Sequence, residues 1–172
     1  AYALDIPWVG VNHLEAHINS VFLEEDCPPF PFVALLASGG HTAIYHVTSH
    51  ISIELMGQTW DDAAGEAFDK VAKILNLGYP GGVVIDSLAR EGNPDKIKFP
   101  RSYLEKSSYD FSFSGIKTAV NRYVSTQHDD IKTQIPDIVA GFQEAVIEVL
   151  AYKLLNAARE KGCNHIAIVG GV

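Results

Sequence analysis

The apolar residues follow two rhythms, and the places where one gives way to the other divide the chain into elements. Trp8-Val9-Gly10-Val11 is a short apolar run that predicts a strand. Asn12, with Glu15 three residues on, has the form of a capping box, so a helix is expected from there to about Leu23. Cys27-Pro28-Pro29-Phe30-Pro31 interrupts both rhythms and sets a boundary between two lobes, residues 1–30 ending the first and 31–172 forming the second. Beyond it, Phe32 to Ala37 and Thr42 to Val47 read as strands joined through a Gly-Gly hairpin tip, with Ile51 to Met56 as a third.

From Asp61 to Leu75 the period is helical, with Ala64, Ala67, Phe68, Val71 and Leu75 on one face, and Gly78 with Pro80-Gly81-Gly82 ends it. Short helices are expected over Val83 to Arg90 and Ile116 to Val124, separated by a basic loop and the segment Asp110 to Gly115. A long amphipathic helix, Ile135 to Lys161, takes Pro136 in its first turn and Gly162 at its stop. A buried-type strand, His165 to Val169, follows, and this succession of strands and helices predicts an α/β fold. The chain starts one short strand before a histidine pair and stops at Gly170-Gly171-Val172, where a ligand loop normally opens, so it reads as part of a longer protein.

Composition narrows the class. With 47% hydrophobic and 20% charged residues, the 172-residue chain is expected to bury a core. No apolar run reaches the roughly 18 residues of a membrane helix and the start has no secretory-signal pattern, so a cytoplasmic location without a membrane partner is expected. Cys27 and Cys163 lack CxxC spacing and read as free thiols. The net charge of −8 is uneven: residues 1–69 hold ten acidic and no basic residues, while the rest hold 13 basic against 11 acidic. A polyanion would therefore meet the second part, around Lys96, Lys98, Arg101 and Lys106, although a solvated charged loop is an equally complete account of them.

The candidate chemistry begins at His13 and His17. A helix advancing about 100° per residue sets their imidazoles about 40° apart on one face, the geometry for sharing a metal ion, which a purely structural pair also satisfies. A zincin would need glutamate after the first histidine; Leu14 stands there, and Glu15 faces away. Ser38-Gly39-Gly40-His41-Thr42 offers backbone N–H groups to an anion without bulky side chains, yet it is no Walker A loop and would serve equally as a plain hairpin tip. Asp62, Glu66 and Asp69 share a helix face, with Lys70 and Lys73 placed to pair with the last two, and Ala63-Ala64-Gly65 lets something approach the helix start closely. Asp86 reads either as an acceptor for a ribose or an amine or as an exposed helix residue.

Taken in order, His13-Leu14-Glu15-Ala16-His17, Leu36-Ala37-Ser38-Gly39-Gly40-His41-Thr42, Asp61 through Lys70, Tyr79-Pro80-Gly81-Gly82 and Phe111-Ser112-Phe113-Ser114-Gly115-Ile116-Lys117-Thr118 resemble the TsaD family. These are the tRNA threonylcarbamoyladenosine transferases, once described as O-sialoglycoprotein endopeptidases, and the resemblance covers the middle half of a typical member. It implies an actin-like ATPase fold of the Hsp70 and sugar-kinase type, here mostly one lobe and truncated at both ends. It implies transfer of threonylcarbamoyl from threonylcarbamoyl-AMP to N6 of the adenosine beside the anticodon of tRNA, with ATP or AMP as related nucleotides. By motif, His13 and His17 become ligands of one divalent metal ion, Fe2+ or Zn2+. Leu36, Ala37, Ser38, Gly39 and Gly40 become the substrate-binding strand and turn, and Asp69, Gly82 and Asp86 hold the nucleotide or its ribose. No catalytic residue is designated.

The implied partners are tRNA and proteins of the TsaB and TsaE types. The family's N-terminal phosphate loop, its C-terminal metal-binding aspartate and the remainder of its adenosine loop fall outside this sequence, so the fragment by itself is expected to be inactive. Two alternatives stand beside this reading: a non-catalytic TsaB-like scaffold, which would not need the histidine pair, and a metallopeptidase, which would need glutamate in place of Leu14.

Overall fold

The computed structural model describes residues 1–105, 108–126 and 131–172. Lys106, one of the expected cationic positions, lies outside the described residues. After a short 3-10 turn, Tyr2–Leu4, the chain forms α1 (His13–Asn19) and then the strands β1 (Phe32–Ala37), β2 (Thr42–Ser49) and β3 (Ser52–Gln58). Then come α2 (Ala64–Ile74), α3 (Gly81–Ala89), α4 (Ser114–Thr126), α5 (Ile131–Glu160) and β4 (Ile166–Val169).

The strands form one mixed sheet in the order β3-β2-β1-β4. The first three make an antiparallel meander, Ala37 facing Thr42 at the hairpin end, and β4 joins β1 in parallel with Val33 beside Ile166. A parallel neighbour requires a crossover connection, and the run from β3 to β4 supplies it with four helices. Strand β1, Phe-Val-Ala-Leu-Leu-Ala, is buried along its whole length, which explains why it lacks hydrophobic alternation. Val33, Leu35 and Ala37 enter the larger core with Phe68 of α2, Ile85 of α3 and Phe142 of α5. Phe32, Ala34 and Leu36 enter the smaller one with Ile18 of α1.

Four features differ most from the sequence expectation. Residues 8–11 form no strand: Trp8, Val9 and Val11 are exposed, and no strand among the described residues pairs with their backbone. Asn12 does cap α1, its side-chain oxygen accepting the Leu14 and Glu15 N–H groups at 2.9 and 3.2 Å, but the helix gives way after Asn19 to a single 3-10 turn, Ser20–Leu23. Helix α2 opens at Ala64 rather than Asp61, because the preceding residues are tied elsewhere: the Asp61 carboxylate accepts the Ser112 hydroxyl at 2.6 Å and the Phe113 N–H at 2.8 Å. Helix α5 starts at Ile131, which puts Pro136 inside the helix instead of in its first turn. Its early turns are held from outside, where the Tyr123 hydroxyl donates to Gln134 at 2.9 Å and Gly92 leaves room for the Pro136 carbonyl.

A turn between a histidine cluster and an apolar cavity

The Ser38–Thr42 turn sits between two environments, and the fold braces it from below. Ser38 N–H donates to the His41 carbonyl at 2.8 Å and the Ser38 hydroxyl accepts the His41 N–H at 3.0 Å, closing the tip. Helix α2 begins with alanines, which offer no side-chain cap. The turn caps it instead: the buried Thr42 hydroxyl accepts the Ala64 N–H at 2.8 Å and the Ser38 carbonyl accepts the Gly65 N–H at 3.2 Å. What approaches the helix start closely is thus the turn backbone, since a Cβ on Gly65 would come within 2.8 Å of Gly39 Cα. By contrast, a Cβ on Gly39 or Gly40 would meet nothing within 4 Å, so this side of the tip is open to a ligand.

On the α2, α3 and α5 side lies a cavity of about 860 Å³, lined by Ala37, Gly39, Gly65, Asp69, Gly82 and Asp86 among others. Most of its wall is apolar, from Phe68, Val83, Val146, Ile147, Leu150 and Leu154. Asp69 accepts the Gly81 N–H at 2.8 Å, which fixes the Tyr79–Gly82 corner, rather than forming the expected pair with Lys73. Asp86 accepts from Arg90 at 2.7 Å and from Gln143 at 3.2 Å, and these donors hold its carboxyl below the ordinary range. Gln143, on α5, had no signal in the sequence. Five of the eight expected substrate residues therefore line one cavity. Leu36 does not: its side chain is buried in the opposite core.

On the other side of the turn, His13 and His17 meet edge to face with ring centroids 4.7 Å apart. His41, read from the sequence only as part of the turn, brings its ring to 5.8 Å from that of His13. His13 and His41 are exposed and His17 is half-buried, so a pair of accessible imidazole donors of the kind that suits zinc or ferrous iron stands beside the turn. Among the described residues no three His, Cys, Asp or Glu side chains already stand in ligating geometry.

The carboxylates at the start of α2 serve the scaffold. Asp62 pairs with Lys70 at 2.5 Å and with Lys117 at 2.9 Å, and although burial pushes its carboxyl up, the two ammonium groups pull it below the usual range. Lys70 also pairs with Glu66 at 2.9 Å, as its spacing predicts. The basic loop is matched locally: Lys96 pairs with Asp137, Lys98 with Asp95, and Arg101 with Glu148. Each of these three described cations therefore has an acidic partner. Cys27 and Cys163 are free thiols, and among the described residues no helix is long and apolar enough to cross a membrane.

The family model for TsaD, tRNA N6-adenosine threonylcarbamoyltransferase, matches residues 1–172. The chain belongs to this family. Proteins of that name are 62% identical to it in Desulforapulum autotrophicum, over all of this chain and 52% of the relative, and 50% identical in Clostridioides difficile, over all of this chain and 51% of the relative. The chain spans about half the length of the curated relatives it matches. Component A of the Acidaminococcus fermentans (R)-2-hydroxyglutaryl-CoA dehydratase overlaps 92% of this chain and 52% of its own at 22% identity and a TM-score of 0.47, too loose a likeness to carry weight.

Proposed function

We propose that the complete protein transfers a threonylcarbamoyl group from threonylcarbamoyl-AMP to N6 of the adenosine beside the anticodon of tRNA. The supporting observation is the turn itself, which has an apolar cavity with two carboxylates on one side and the histidines on the other. In the reaction the amine nitrogen forms a bond to the carbamoyl carbon, the bond from that carbon to the phosphate oxygen breaks, AMP leaves, and the amine gives up a proton.

The residues divide this work by position. At about 860 Å³ the cavity is of ligand size, and its apolar wall suits an adenine base. Asp86 stays ionised beside it and accepts ribose hydroxyls. Asp69 holds the corner that places Gly82 at the nucleotide, and the open faces of Gly39 and Gly40 let phosphate oxygens reach the turn backbone. His13 and His17 would hold the iron or zinc ion, which when bound supplies a Lewis acid for the threonylcarbamoyl carbonyl. The two-lobed actin-like arrangement, the cytoplasmic location, and assistance by TsaB- and TsaE-type proteins belong to the same proposal. So does the inactivity of these 172 residues alone, since transfer draws on parts of the family pattern outside them.

The test uses the full-length parent with its TsaB- and TsaE-type partners and unmodified tRNA, with mass spectrometry of nuclease digests counting N6-threonylcarbamoyladenosine. Wild type is expected to form the modified nucleoside and carry metal. The His13→Ala, His17→Ala variant is expected to lose both, and full transfer by a metal-free variant would contradict the proposal.

A further inference from the structure

We infer that Gln143 completes a ribose clamp with Asp86: the carboxylate accepts a hydrogen bond from one of two neighbouring hydroxyls and the carboxamide oxygen accepts from the other, so the cavity selects ribonucleotides over deoxyribonucleotides. This rests on reading Asp86 as the ribose acceptor. Helix α5 turns a stripe toward the cavity in which Gln143 is polar, while Val146, Leu150 and Leu154, at helical spacing from it, are aliphatic. A carboxamide in an apolar wall is costly unless its groups find hydrogen-bond partners. The fold fixes where it sits, because the adjacent Phe142 is buried edge to face against Phe68 with ring centroids 5.0 Å apart, and Gly141 lies directly against the Ile97 carbonyl.

Charge settles which end of the carboxamide is free. Donation from Arg90 and Gln143 keeps Asp86 ionised, so it only accepts, and the Gln143 atom 3.2 Å from it is the amide nitrogen. The carboxamide oxygen is then the other end, and no group among the described residues donates to it. A carboxylate has roughly four acceptor positions; Arg90 takes one and Gln143 another, which leaves room on Asp86 for a hydroxyl. Neighbouring hydroxyl oxygens of a ribose stand about one hydrogen-bond length apart, roughly 3 Å, and Gln143 and Asp86 are separated by 3.2 Å. The pair thus matches a diol rather than a single hydroxyl.

The experiment measures equilibrium binding of AMP, 2′-deoxy-AMP and 3′-deoxy-AMP to the full-length protein, in wild type and in Gln143→Met, an unbranched replacement of similar shape that cannot accept from a hydroxyl. Wild type is expected to bind both deoxynucleotides more weakly than AMP. Gln143→Met is expected to weaken AMP roughly fivefold, the worth of one hydrogen bond between neutral groups, and to abolish discrimination against one deoxynucleotide while keeping it against the other. An equal drop for all three ligands marks a structural role and overturns the inference, as does unchanged AMP affinity. If wild type discriminates against neither deoxynucleotide, the reading of Asp86 falls and this inference with it.

Discussion

The two faces of the sheet meet at one turn but are built to different tolerances. Toward α2, α3 and α5 the packing is backbone against backbone: a Cβ on Gly65 would come within 2.8 Å of the turn, and one on Gly81 within 2.7 Å of Asp69 Cα. Toward α1, a seven-residue helix contributes Ile18 to the core and leaves His13 exposed. The cavity side therefore has its shape before a ligand arrives, whereas the exposed histidine side, under the proposed function, would take its final geometry from a bound ion. Rigidity where a nucleotide must be oriented and adjustability where an ion can do the ordering are consistent with the different costs of binding the two.

The largest expected effect breaks the adjustable side. His13→Ala with His17→Ala should lower zinc affinity of the full-length protein by well over 100-fold, beyond the loss typical of outer-shell substitutions, with no change in AMP affinity; titration with each ligand separately checks both. Next comes an insult to the rigid side. Gly65→Val should drive side-chain atoms into the Ser38–Gly39 backbone, at a cost of about 1–3 kcal/mol in denaturant unfolding, and should weaken AMP binding.

Two smaller substitutions sharpen the contrast. Thr42→Val keeps the side-chain shape but leaves the Ala64 N–H unpaired in a buried site, which should cost about 1–2 kcal/mol and speed hydrogen exchange at that amide. Asp86→Asn should weaken AMP binding by roughly tenfold, the worth of one hydrogen bond to a charged acceptor, while leaving zinc affinity intact.

Asp62 adds a pH dependence to the rigid side. Its folded-state carboxyl is held below its ordinary value of 3.8, so its contribution is present above that pH and is lost as pH falls through the lowered value. Asp62→Asn should accordingly flatten the acid limb of the stability profile, measured by thermal melts between pH 2 and pH 7, relative to wild type.

Elements with a strong local signal were legible in the sequence. The meander, the Asn12 cap and the long α5 follow from apolar spacing and terminal residues, and the histidine pair follows from helical periodicity. What the sequence left open depends on partners far along the chain. The start of α2 is set by Ser112 and Phe113 engaging Asp61, and its missing cap is provided by Thr42. The apolar run at Trp8 looks like a strand, yet strand pairing requires a neighbour that local pattern does not reveal. His41 stood in a motif already explained as a turn, and only the placement of α1 against the sheet brings it to His13. Leu36 shows the reverse: adjacent strand residues face opposite sides, so a contiguous stretch contributes to two different surfaces.

The central claim is that one turn joins an acyl-anchoring metal site to a nucleotide cavity. The most direct measurement compares equilibrium binding of AMP and of threonylcarbamoyl-AMP to the full-length protein, in wild type and in the His13→Ala, His17→Ala variant. Wild type should bind the acylated nucleotide more tightly than AMP, and the variant should bind both with the affinity wild type has for AMP. Equal preference for the acylated nucleotide in both proteins would contradict the account.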